Sequence, residues 1–196
     1  ASNLNRLVGA TQEDVDQQRL KTDIASRVIR QVNPQAKIIQ INGKWQEQQI
    51  LLRDCAVIFG CVDSYMEREQ LERFCRRFLI HYIDVGMDVL RFGDNHRIVG
   101  QVVMSSPGWP CLRCSGVITD ENLNQEAQRY GKAGARPQVV WPNGVLASTA
   151  IGLFMQLLSP WHSGSTGFAY REYNGNNHTI SESPRSQYAI LHQCEH

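Results

Sequence analysis

Cys111 and Cys114 stand three apart in Gly108-Trp-Pro-Cys-Leu-Arg-Cys114, the spacing of half a tetrahedral metal site. Asp63 closes Gly60-Cys-Val-Asp63, where an acid follows a run of buried-strand character. Ligands of open α/β sheets sit beyond the carboxyl ends of strands, and magnesium takes one or two carboxylates together with phosphate oxygens. An aspartate there is also an ordinary helix N-cap. Lys21 lies in a helical pattern, and Arg6 ends Ser2-Asn3-Leu4-Asn5-Arg6 at the start of the chain. Each is a cation that can meet phosphate, and each alone reads as a solvated side chain. Cys61, beside Asp63, reads as a core thiol rather than a nucleophile. None of the six histidines falls in a catalytic motif.

The elements that must position these residues alternate helix and strand. Thr11-Gln-Glu-Asp14 has capping-box form, and Leu20, Ile24, Val28 and Val32 continue at helical spacing until Asn33-Pro34 stops it. Residues 36–41 read as a short strand, 46–52 as a short helix, and 56–60 as a strand buried on both faces. Leu71, Phe74, Cys75 and Phe78 mark one side of a second amphipathic helix, and 80–85 read as another buried strand. Residues 89–92 and 97–104 form an antiparallel pair around Gly93-Asp94-Asn95. Residues 118–138 read as a helix followed by a loop. Residues 144–158 are apolar almost all round, which predicts a central buried helix. Residues 170–173 and 178–181 flank Asn174-Gly175 as a hairpin. The whole predicts an α/β layered domain with a mixed sheet.

Composition excludes several classes. The net charge of +1 over 196 residues gives no field to gather nucleic acid. Arg68, Arg73, Arg76 and Arg77 interleave with Glu67, Glu69 and Glu72, the pattern of a solvated helix face. No apolar run is long enough to span a membrane, no signal peptide is recognisable at the start, and the six cysteines suit a reduced, cytoplasmic protein better than a disulfide scaffold.

The SNLNR segment, Lys21, Asp63 and the Cys111/Cys114 knuckle, in this order, resemble the ThiF/MoeB/HesA (ubiquitin-activating-enzyme-like) adenylyltransferase family over nearly the whole chain. Gly144-Val-Leu and Tyr173-Asn-Gly175 are similar to its C-terminal half. The resemblance implies a Rossmann-like adenylation fold, with residues 1–86 as the Rossmann-like half and 87–196 as the half with antiparallel strands and knuckle. It implies activation of the C-terminal carboxylate of a ubiquitin-like or sulfur-carrier protein by MgATP, in a homodimer. Asn3, Arg6 and Lys21 then contact the phosphates, and Asp63 serves the Mg2+. The family closes its knuckle with a second CxxC far downstream. Here the candidates are Cys194 and His196, giving a structural Zn2+ on Cys111, Cys114, Cys194 and His196, with free thiols as the alternative.

Two departures qualify the resemblance. Residues 136–143 hold no cysteine, so a crossover-loop thioester is not expected. No GxGxxG occurs, and the family's N-terminal βαβ portion, which carries that loop, has no counterpart ahead of Ser2. The expectation is a piece of a longer protein. A catalytically inactive ThiF-like binding or dimerisation module is the first rival, and an NAD-binding Rossmann oxidoreductase the second.

Overall fold

The structure, a computed structural model, describes Leu4 and residues 7–129, 139–159, 161–164, 167–191 and 194. The chain divides into two compact units, Ala1–Leu52 and Arg53–His196.

In the first unit, α1 (Gln12–Asp16) opens on the expected capping box. The Asp14 amide donates to Thr11 Oγ1 at 3.3 Å, and the Thr11 amide donates back to Asp14 Oδ2 at 2.8 Å. The helical pattern predicted to run on through Val32 is broken here. Gln18 adopts φ +52°, which a right-handed helix cannot carry, so α2 (Lys21–Val32) starts afresh. Arg27 on α2 clasps Asp14, donating to Oδ2 at 2.7 Å, and Ile24 is buried. The strand predicted at 36–41 does not form. A strand is stable only when its backbone groups are paired, and among the described residues of this unit there is no strand to pair with. A 3-10 turn (Trp45–Gln48) and α3 (Gln49–Leu52) replace the single short helix expected there.

The second unit is a five-stranded mixed sheet in the order β1-β2-β3-β4-β5. β1 (Val57–Gly60) runs parallel to β2 (His81–Phe92), with α4 (Tyr65–Arg77) as the crossover. β3 (Asn95–Ser105), β4 (Phe168–Asn174) and β5 (Thr179–Glu182) then add antiparallel. The two strands predicted at 80–85 and 89–92 are one continuous strand, since every residue from Tyr82 to Phe92 finds a partner on β3. Its two-residue turn needs Gly93, at φ +59°. α5 (Asp120–Arg129), α6 (Val140–Leu158) and α7 (Arg185–Leu191) complete the unit. Residues 130–138, the predicted loop, lie outside the described residues.

Strand alternation sorts the two faces. Ile83, Val102, Met104, Ala169 and Tyr173 join Leu146, Ala150 and Leu153 of α6 in the apolar core. The close approach requires Gly100, because a Cβ there would stand 2.7 Å from Leu146 Cδ1. Tyr82, Asp84 and Ser105 point to the other face, where α4 supplies Arg68 and Glu72. α6 is not buried all round: Trp141, Val145, Ile151, Met155 and Leu158 are exposed. A 19-residue helix on one sheet face covers only one stripe of itself, here Leu146, Ala150 and Leu153.

Candidate functional site

Asp63 lies three residues beyond Gly60, at the carboxyl end of a parallel strand, and is exposed. The N-cap of α4 is the next residue, Ser64, whose Oγ accepts from the Glu67 amide at 3.2 Å. Capping therefore does not use the Asp63 carboxylate, which takes part in no hydrogen bond or ion pair among the described residues. That answers the plainest alternative to a binding role. Cys61 is exposed rather than turned into the core. Surrounding protein and the Asp84 charge push its thiol pKa upward, which disfavours a nucleophilic thiolate.

Lys21 is exposed and opens α2 in the first unit. Asp63 belongs to the second unit. Asn3 and Arg6 lie outside the described residues, so of the four phosphate and magnesium candidates the structure describes two, one in each unit.

The charged stretch 68–77 is only in part the solvated face its pattern predicts: Arg73 and Arg77 are exposed, but two of its charges are not. Arg68 and Glu72 are 8% and 4% exposed, against the sheet. Arg68 Nη1 donates to Asp84 Oδ2 at 2.6 Å, and Tyr82 Oη donates to Asp84 Oδ1 at 3.1 Å. Burial pushes the Asp84 carboxyl up, and the Arg68 guanidinium opposes this. The packing leaves no slack: a Cβ on Gly86 would stand 2.6 Å from Arg68 Nη1, and one on Gly60 would collide with the Tyr82 hydroxyl. The bond is long-range in sequence and buried, so it fixes α4 at the end of β1 that leads into Asp63.

The other half of α4 holds the cysteines. Glu72 Oε1 accepts from the Leu112 amide at 2.9 Å and from Ser105 Oγ at 2.6 Å. Glu69 accepts from Arg113 Nε at 2.6 Å. Leu112 and Arg113 are the two residues between Cys111 and Cys114, so two carboxylates of one helix grip the knuckle. Burial raises the Glu72 pKa against these donors. Sequence spacing held one clue: Arg68, Leu71, Glu72 and Cys75 share a helical stripe whose apolar members face the core.

Cys111, Cys114 and Cys194 bring their sulfurs within 4.8 Å of one another. The Cys111–Cys114 separation of 3.5 Å is far too long for a disulfide. Bonds of about 2.3 Å at tetrahedral angles place zinc-bound sulfurs roughly 3.8 Å apart, so the trio fits three corners of such a site. Burial pushes the Cys111 thiol up to about 12, and a thiolate there needs a compensating cation. His196, the expected fourth ligand, lies outside the described residues.

Solved structures share this fold. Escherichia coli MccB with ATP superposes at TM-score 0.69, with 16% identity over 93% of this chain and 52% of that chain. The same protein with AMPCPP and MccA gives TM-score 0.70 at 15% identity and the same coverage. The microcin C7 biosynthetic enzyme MccB with N-formylated MccA gives 0.66 at 16%, over 93% and 53%. The chain thus spans about half the length of these structures. No curated protein matches it. No helix among the described residues is long and apolar enough to cross a membrane. The profile described as "ThiF family" matches residues 1–192, and with the mixed sheet, the acid beyond β1 and the cysteine knuckle in place, the chain belongs to the ThiF family.

Proposed function

We propose that this chain is part of a cytoplasmic enzyme that uses MgATP to adenylate the C-terminal carboxylate of a ubiquitin-like or sulfur-carrier protein. The observation that carries the reading is Asp63, an exposed acid at the carboxyl end of a parallel strand with its own cap supplied by Ser64, in a chain of the ThiF family. MccB, which shares the fold, has been solved with ATP and with MccA, which supports a nucleotide and a polypeptide partner here.

In the proposed step an oxygen of the carrier's terminal carboxylate attacks the α-phosphorus of ATP. The bond to the bridging oxygen breaks, and pyrophosphate leaves with the electron pair. Negative charge grows on phosphate oxygens, and fixed cations stabilise it. Asn3, Arg6 and Lys21 bind and orient the phosphates, and Asp63 holds the magnesium. Mg2+ supplies charge neutralisation at those oxygens. Zn2+ on Cys111, Cys114, Cys194 and His196 is structural, tying the C-terminal segment to the knuckle. The segment 136–143 lacks cysteine, so the reaction ends at the adenylate without a crossover-loop thioester. The exposed face of α6, with Trp141, Ile151 and Leu158, is the surface for a twofold dimer.

The test is ATP–pyrophosphate exchange in the full-length protein with candidate carriers, each compared with its C-terminal amide. Exchange that needs the free carboxylate, and falls by roughly 100-fold or more in Asp63→Asn and Lys21→Ala, is the expected result. Nucleotide-free dimers with no exchange would favour an inactive binding module. Binding of NAD in place of ATP would favour an oxidoreductase.

A further inference from the structure

The loop that carries Asp63 is tied down from two sides. Beneath it, the buried Arg68–Asp84 pair anchors α4 to β2. On the outside, a carboxylate from a distant part of the chain closes the first turn of α4. Glu126, on α5, accepts from Ser64 Oγ at 3.2 Å, from the Tyr65 amide at 3.0 Å and from the Met66 amide at 3.1 Å. Ser64 in turn caps Glu67. The opening amides of a helix have no partner within it, and here Glu126 and Ser64 together satisfy those of Tyr65, Met66 and Glu67.

Helix capping alone does not require this arrangement. Ser64 already supplies a local cap, and the remaining amides would be open to solvent. Glu126 instead comes from some sixty residues away in sequence, on the helix that follows the cysteine knuckle. It binds the three residues directly after Asp63. Arg68 and Asp84 are buried, whereas Glu126 is half-buried, so the outer tie can be altered without leaving a charge in the core.

We infer that Glu126 is a positioning residue for Asp63: its carboxylate fixes residues 64–66 and thereby the direction in which the Asp63 carboxylate is presented to magnesium. This rests on the reading of Asp63 given above. Groups that orient a metal ligand from behind are worth roughly 10- to 100-fold in metal affinity. A mere helix cap affects stability and leaves metal affinity alone.

Glu126→Ala and Glu126→Gln are compared with the unaltered protein by two readouts. Amide hydrogen exchange of residues 61–67 is expected to speed up roughly tenfold in Glu126→Ala, because charge-assisted bonds are lost. The Mg2+ concentration for half-maximal exchange activity is expected to rise roughly tenfold, with kcat at saturating Mg2+ changed less than about twofold. Glu126→Gln, which keeps an acceptor oxygen, should fall between. Undiminished protection at 61–67 overturns the inference. So does lost protection with an unchanged Mg2+ requirement, which would make Glu126 a cap and nothing more. Absence of all activity in the unaltered protein would sink the adenylation reading instead. Exchange at residues 61–63, ahead of the helix, then decides the positioning role alone: faster in Glu126→Ala supports it, and unchanged overturns it.

Discussion

Two arginine–aspartate pairs of this chain behave in opposite ways. Arg27–Asp14, in the first unit, holds its carboxyl well below the ordinary carboxylate range, chiefly through the arginine hydrogen bonds and with help from the Thr11 amide and hydroxyl. Arg68–Asp84, in the second unit, has its carboxyl pushed up. Both carboxylates are buried, so the difference lies in the donors each receives and in how exposed the arginine is. Asp14 takes both Arg27 Nη atoms and sits in the first turn of a helix, beside an arginine that is 30% exposed. Asp84 takes one Arg68 nitrogen inside the sheet–helix interface, where the side chains are 10% and 0% exposed. An ion pair is thus not one kind of object. Both join two elements: the first is rich in donors and keeps its arginine partly in solvent, and the second has both partners inside the interface at a desolvation cost.

The largest effect expected follows from the second pair. Arg68→Met leaves the Asp84 charge buried without a cation, with the Tyr82 hydroxyl still donating to it, and should cost about 3–5 kcal/mol in urea melts. Adding Asp84→Leu should recover most of that loss, since a buried pair replaced by apolar groups is often neutral. If the double variant is no better than the single one, the pair was not the source of the cost. Arg27→Met should shift the melt less, because Asp14 keeps the Thr11 amide and hydroxyl and a second cation, Arg19, at 3.8 Å. A smaller effect sharpens the contrast through pH. Asp14 has a depressed folded pKa, so its contribution is fully present above its unfolded value, about 3.9, and is lost as pH falls through the folded one. The difference in melting between the unaltered chain and Asp14→Asn should therefore be constant near neutrality and shrink below about pH 4. A difference that grows on acidification would reverse the assignment.

Much of the fold is legible in the sequence because periodicity reports local geometry. The capping box at Thr11, the strand ending at Gly60, the turn at Gly93 and the hairpin at Asn174-Gly175 all form where their patterns place them, although that strand is an edge strand with Phe59 exposed rather than one buried on both faces. Patterns that depend on a neighbour read less well. Residues 36–41 have strand composition but no partner strand among the described residues of their unit, and α6 is apolar beyond the stripe that the sheet covers. The candidate site divides in the same way. Cys194 was within reach of sequence reasoning, since a half-site demands further ligands, and the structure brings it to Cys111 and Cys114. Glu72, Glu126 and the Arg68–Asp84 pair were not, because each joins elements far apart in the chain. Their only trace was two charges on the apolar stripe of α4.

On the proposed reading, the site that holds Asp63 makes an acyl-adenylate on a carrier protein. Intact mass spectrometry of a carrier incubated with the full-length protein and MgATP tests it directly. The expected product is a carrier species heavier by one AMP, attached at the C-terminal carboxylate, absent with Asp63→Asn and absent when that carboxylate is amidated. A carrier left unmodified although MgATP is bound, or an adenylate that still forms at full rate with Asp63→Asn, would contradict it.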